Sequence, residues 1–297
     1  MKDAFSSYHP IVNMLHFVLV LGFAMFFTHP VCLGISLVCA FLYSLYLKGG
    51  KGLRFSLLFM LPLLILTALM NPLFNHAGET ILTYLPNGNP LTLESILYGV
   101  AAAVMLICVI HWFSCYNAVM TSDKFIYLFG RIIPALSLIL SMALRFVPRF
   151  KAQLKIISTA QRCVGRDIAT GSIIRRARQG IKILSIMVTW ALENAIETAD
   201  SMKSRGYGLK GRTAFSIYRF DKRDLYALIF LVVCGISIIA GICYGAFYFR
   251  YFPTLKAPTI NYELCIMNYA LYFALCSLPI IINLREDLKW KYIQSKI

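Results

Sequence analysis

Six apolar runs, near Ile11–Phe27, Val31–Leu47, Leu53–Leu69, Ser95–Val119, Leu225–Phe249 and Cys265–Leu284, constrain this 297-residue chain more than any other feature. Each approaches the ~20 residues that a helix needs to cross a ~30 Å hydrocarbon core. Backbone polar groups in that core must be paired within their own segment, so continuous runs of this kind read as helices. Apolar residues make up 59% of the chain and charged ones 14%, more hydrocarbon than a soluble domain of this length can bury. The expected fold is therefore all-α, a polytopic membrane protein with about six transmembrane helices. The first run is followed by Thr28-His29-Pro30 and a second run. It is read as a retained span, because a signal peptide would end at a small-residue cleavage site.

Lysine and arginine positions orient the spans. With both termini cytoplasmic, inner segments hold all but Arg250 and Lys256 of the 29 basic residues, including Lys48, Lys51 and Arg54 in one short loop, as the positive-inside pattern requires. The net charge of +16 is then the signature of inner segments beside anionic lipid, and no nucleic-acid partner is expected. Three regions follow: residues 1–120 with four spans, 121–223 as a water-facing helical region, and 224–297 with two spans and a cytoplasmic tail.

Eight of the nine cysteines lie in or at the ends of apolar runs and read as small buried hydrophobes; Cys163 falls in the cytoplasmic region. No Cys-x-x-Cys occurs, so neither a disulfide framework nor a metal centre is expected. On the outer side, Thr80–Leu85 carries strand formers and Pro86-Asn87-Gly88-Asn89-Pro90 is dense in turn residues. A short hairpin is expected there, read as a compact connector in preference to a lid over a substrate path.

The water-facing region carries the specific signals. Pro134 suits a first helical turn. Beyond it Leu136, Leu140, Leu144 and Val147 give way, after a bend expected at Pro148, to a cationic helix bearing Arg145, Arg149, Lys151, Lys155, Arg162 and Arg166. Phe150, Leu154, Ile157 and Gln161 keep an apolar stripe along it. Gly165 and Gly171 permit a turn, and Ser172 can cap a second helix. Along that helix Ile173, Ala177, Ile181, Leu184, Val188, Ala191, Ala195, Ala199 and Met202 recur at steps of three and four. The small face of Ala191, Ala195 and Ala199 is expected to let the two helices pack closely.

The second helix ends at Ser204-Arg205-Gly206. Gly206 can take the left-handed conformation that terminates a helix, which projects Arg205 from a defined point. A guanidinium there either neutralises the helix dipole or docks on an acidic or carbonyl-lined groove of a partner. Gly206 to Thr213 nearly spells a phosphate loop, but it follows a helix instead of opening one, and Arg212 stands where the loop needs Lys. Glu193, Glu197 and Asp200 lack catalytic or metal-type spacing and read as a solvated face, so no enzyme is expected. A stand-alone secondary transporter is the alternative; its only mid-span ionisable candidates are His16 and His111, read as packed polar groups.

Ala143-Leu144-Arg145-Phe146-Val147-Pro148, Ala160-Gln161-Arg162, Ala199-Asp200-Ser201-Met202-Lys203-Ser204-Arg205-Gly206-Tyr207-Gly208 and Arg212-Thr213 resemble the transmembrane T component of energy-coupling factor (ECF) transporters, the EcfT/CbiQ-like family. The likeness extends over nearly the whole chain. It implies a prokaryotic plasma-membrane importer of vitamins or transition metal ions, in which this chain holds no cofactor. ATP and Mg would be handled by two partner ATPase subunits of the EcfA type, and cargo by a separate substrate-binding S component. In the family, an x-Arg-Gly motif at the tip of each of two coupling helices seats in one ATPase. Ser204-Arg205-Gly206 matches the second motif; the first falls on Cys163-Val164-Gly165, where the arginine is missing and Arg162 or Arg166 is the available substitute. Arg145 and Pro148 take the part of helix support or hinge. The sixth run looks like an extension beyond the commoner five-span members.

Overall fold

The computed structural model describes residues 3–84, 88–130, 133–165, 172–209, 218–256 and 262–296. Among them the chain forms helices α1 (Pro10–Phe26), α2 (Pro30–Lys48), α3 (Gly50–Phe74), α4 (Leu93–Val119), α5 (Ser122–Gly130), α6 (Pro134–Cys163), α7 (Ile173–Ser204), α8 (Lys222–Cys243) and α9 (Tyr262–Gln294). The protein is all-α and polytopic: α2, α3, α4, α8 and α9 are long and apolar enough to cross a membrane. The first apolar run falls on α1, which has 17 residues and spans about 25 Å at helical rise. The chain divides into two compact units, Met1–Phe125 with Tyr218–Ile297 and Ile126–Ile217.

Helix starts in the first unit follow from local chemistry. His9 and His29 are N-caps of α1 and α2, and each is followed by proline at the first helical position. The missing proline N–H costs nothing there, and each imidazole Nδ1 accepts from the next free amide, Ile11 N or Val31 N, at 3.3 Å. Gly49 alone separates α2 from α3, so Lys51 and Arg54, expected in a loop, sit in the first turns of α3. Within α3, Ser56–Met60 is wound as a π segment, with the Ser56 hydroxyl donating to the Gly52 carbonyl at 3.0 Å.

Helix α4 is central, packing against α3, α2 and α1; α2 meets α9, and α8 meets α9 and α1. Close approach of α3 and α4 depends on Gly99, where a Cβ would lie 2.6 Å from the Ala68 carbonyl oxygen. Trp112, fully buried, donates its indole N–H to Ser36 Oγ at 3.0 Å across the α2–α4 seam. All nine cysteines are free, and all are buried except Cys163 and Cys243; the exposure of Cys243 departs from the sequence reading.

Two boundaries also differ from the apolar runs. The run reaching Phe249 is helical only to Cys243, because Gly245 N and Ala246 N turn back onto Ile242 O and Gly241 O at 2.9 Å and close the helix. The last helix instead continues past Leu284 to Gln294 through residues with good helical propensity, Asp287 and Lys291 standing at the favourable i, i+4 spacing. The expected hairpin is present as β1 (Ile81–Tyr84) paired antiparallel with β2 (Pro90–Thr92). Leu85, Pro86 and Asn87 lie outside the described residues.

An amino-terminal turn, Phe5–Ser7, is locked to the same unit by polar contacts. Ala4 N donates to Asn283 Oδ1 at 2.7 Å, and Tyr43 OH donates to Asp3 at 3.0 Å. His9 N donates to Asp224 at 3.2 Å. Lys124, only 5% exposed, places its ammonium against Ser6 O (2.6 Å), Ser6 Oγ (3.0 Å) and Val119 O (3.0 Å). The last of these caps an orphan carbonyl at the end of α4. Burial pulls the Lys124 pKa down to about 8, against a smaller opposing pull from Asp3.

Candidate functional site

The second unit is a pair of long helices meeting at an aromatic contact. Pro134 opens α6, which stays continuous through Pro148 although that residue has no N–H for the Leu144 carbonyl. Ser172 caps α7, its hydroxyl accepting from Arg175 N at 3.5 Å. Phe150 of α6 meets Trp190 of α7 edge-on, centroids 5.5 Å apart, and the Arg149 guanidinium lies 5.6 Å from the same indole. Ile157 and Ile183 are buried residues of these otherwise exposed helices.

This corrects the expected packing. Ala195 and Ala199 are exposed and only Ala191, next to Trp190, is half-buried; the helices meet at the bulky Phe150–Trp190 pair. The repeating apolar stripe of α7 is likewise turned outward at Ile181, Leu184 and Val188, all more than half exposed, as are Leu192 and Ile196 beside it. On the polar side, Glu193, Glu197 and Asp200 are exposed. Among the described residues no three His, Cys, Asp or Glu side chains form a group that could hold a metal ion.

The tips are where backbone chemistry is most specific. At the end of α7, Gly206 N donates to Lys203 O at 2.9 Å and Tyr207 N to Met202 O at 3.0 Å. Gly206 has φ +73°, and this bond pair with a left-handed residue is the Schellman ending. Arg205, the C-cap, has φ −83° and ψ 10° and an exposed side chain; the Ser204 hydroxyl donates to Ser201 O at 2.9 Å. At the end of α6, Gly165 N donates to Arg162 O at 3.0 Å, and Gly165 has φ +75°. Its C-cap is Val164, at φ −88° and ψ 12°. The two ends thus have the same backbone form, and Val164 occupies the position that Arg205 holds on the other helix.

The sequence-derived residues therefore fall into groups. Ser204, Arg205 and Gly206 share one tip, and Arg162 and Gly165 share the other. Arg145 and Pro148 lie mid-helix, close in sequence to the Phe150 contact, and both are exposed. Arg166 and Gly171 lie outside the described residues, as do Lys210 to Thr213 of the phosphate-loop lookalike; Gly206–Leu209 of that segment follow a helix. From the aromatic contact each helix runs on to its tip, about 21 Å along α6 and about 22 Å along α7 at ~1.5 Å per residue.

In the first unit, His16 and His111 are packed polar groups, as expected. His16 is fully buried with its ring edge-on to Phe5 (5.2 Å), Phe17 (5.4 Å) and Trp112 (6.0 Å), and His111 sits edge-on to Phe41 at 6.2 Å. Sequence reasoning missed the Phe150–Trp190 contact and the buried Lys124. The available signals were one of only three tryptophans on a polar helix and a lone lysine following an apolar span.

Comparison with known proteins comes to the same region of protein space. A family model described as CbiQ, cobalt transport protein, matches residues 5–215. The energy-coupling factor transporter transmembrane protein EcfT of Lactobacillus helveticus is 40% identical over 107 residues, 35% of this chain and 38% of its own length. EcfT 1 of Listeria monocytogenes is 29% identical over 211 residues, covering 66% of this chain and 75% of that protein. EcfT of Lacticaseibacillus paracasei is 29% identical over 185 residues, 61% and 70% of the two chains.

Proposed function

The chain belongs to the CbiQ family, and on that premise we propose that it is the transmembrane coupling component of an ECF-type importer. Its membrane unit anchors a helix pair whose two tips dock on two ATPase subunits, and it transmits their motion to a separate substrate-binding membrane component. The chain itself catalyses nothing; ATP and Mg belong to the ATPases, and vitamins or transition metal ions are the expected cargo. The complex works in a prokaryotic plasma membrane with both termini of this chain cytoplasmic, an orientation supported by the placement of its basic residues.

The observation that carries this reading is the pair of matched helix endings. Helix ends closed by a left-handed glycine hold two side chains at defined, exposed points, and one of them is Arg205, whose five fixed donors suit a carboxylate- or carbonyl-lined groove. Phe150–Trp190 joins the helices, so displacement of one tip is passed to the partner helix by sliding or rotation of packed elements. The secondary-transporter reading is not favoured, since both mid-span histidines are buried among packed helices and the relatives carry energy-coupling names.

Purifying the tagged chain from its native membranes in mild detergent tests the proposal. Two nucleotide-hydrolysing subunits and a small membrane protein are expected to copurify, and Arg205→Glu is expected to reduce ATPase recovery at least tenfold. Uptake by the isolated chain alone would refute it.

A further inference from the structure

We propose that the two tips enter chemically different grooves, and that the tip of α6 is held through Val164 in an apolar groove on one ATPase subunit. This inference rests on the reading of the tips as ATPase-docking points. Val164 and Arg205 have the same backbone conformation at the same position of the same kind of cap. The difference between the tips is therefore chemical: a branched hydrocarbon replaces a guanidinium. Val164 is 68% exposed, and the neighbouring Cys163 is also exposed, so the C-cap position of α6 presents hydrocarbon where that of α7 presents a guanidinium.

Arg162 does not stand in for the missing cation at that point. It precedes the C-cap by two residues and so emerges about 200° around the helix axis from Val164. A groove lined with carboxylates or bare carbonyls would be left unsatisfied by valine, and burying such groups unpaired is unfavourable. A groove that closes on a hydrocarbon instead gains from removing it from water. The receiving surfaces of the two ATPase subunits are consequently non-identical, and the helix pair engages them in one orientation only.

The test compares Val164→Ile, Val164→Asp, Val164→Arg and Arg205→Glu in the whole complex purified from native membranes, with ATPase recovery measured by quantitative mass spectrometry. Position 164 is exposed, and a monodisperse detergent-solubilised profile for each variant confirms that folding is retained. Val164→Ile is expected to keep parental recovery, and Val164→Asp to lose at least tenfold. Val164→Arg, which restores the arginine seen at the other tip, is expected to lose several-fold as well. A photo-crosslinker at 164 should label one ATPase polypeptide and one at 207 the other. Parental or improved recovery with Val164→Arg, or full recovery with Val164→Asp while Arg205→Glu loses it, overturns this inference and leaves the docking role of Arg205 standing. Full recovery with both Val164→Asp and Arg205→Glu overturns the docking reading itself.

Discussion

Phe150 and Trp190 join two helices whose surfaces are otherwise mostly exposed: their ring centroids lie 5.5 Å apart at an interplanar angle of 70°. An edge-to-face pair of this kind contributes about 0.5–1.5 kcal/mol beyond its burial, and Arg149 over the same indole adds about 0.5–1 kcal/mol.

Trp190→Ala removes both contributions at once. Uptake by the reconstituted complex is expected to fall several-fold while ATPase recovery stays near parental, because the tips are unaltered. Trp190→Phe should retain most of the uptake. Equal uptake by Trp190→Ala and the parent would show that the aromatic contact does not carry motion.

Replacing Gly206 with alanine forces a side chain into φ +73°, where its Cβ would also lie 3.0 Å from Leu209 Cδ1. The left-handed conformation costs roughly 1–2 kcal/mol for an L-residue. ATPase affinity is expected to drop about tenfold, with the melting temperature of the membrane unit unchanged. Gly206→Asn should be milder, since asparagine tolerates this region better. Binding assays with immobilised ATPases would read the difference.

Lys124→Met strands the Ser6 and Val119 carbonyls, a loss of about 1–3 kcal/mol for each buried polar group left unpaired. A lower thermal midpoint in detergent is expected. The pH dependence has a definite sign. With the folded pKa near 8 and the ordinary value at 10.5, the unfolded chain holds more protons between these values, so this group's contribution to stability rises with pH across that window. The stability difference between parent and Lys124→Met should grow from pH 8 to 10.5. A difference that shrinks would contradict the burial argument.

The two histidine caps respond in acid. Burial lowers the pKa of both His9 and His29, and each Nδ1 must be unprotonated to accept its backbone N–H. Their contribution is complete above the ordinary histidine value of 6.5 and is lost as pH falls through the depressed folded values. A double His9→Asn, His29→Asn variant keeps a capping acceptor without the titration. Its thermal midpoint should vary less than the parent's below pH 6.5.

The legible parts were those written in neighbouring residues. Continuous apolar runs placed six helices, Pro134 and Ser172 marked helix starts, and Gly165 and Gly206 marked the tips, because each of these is a local preference of backbone or solvent. What stayed hidden depends on chain segments far apart. Lys124 meets Ser6 across 118 residues, and no periodicity announces that pairing. The face of α7 that meets α6 could not be chosen from its apolar stripe, since Ile181, Leu184 and Val188 turn outward while Trp190 makes the contact. Nor did the run to Phe249 reveal that its helix stops at Cys243, where turn hydrogen bonds override apolar composition.

On the proposed docking of both tips, the nearly equal distances from the Phe150–Trp190 crossing to Val164 and Arg205 have a mechanical consequence. A pivot placed midway between two loads has a transmission ratio close to one, so neither end of the linkage trades stroke for force against the other. Shifting the aromatic pair by one helical turn along either arm would unbalance that ratio without touching a single docking atom.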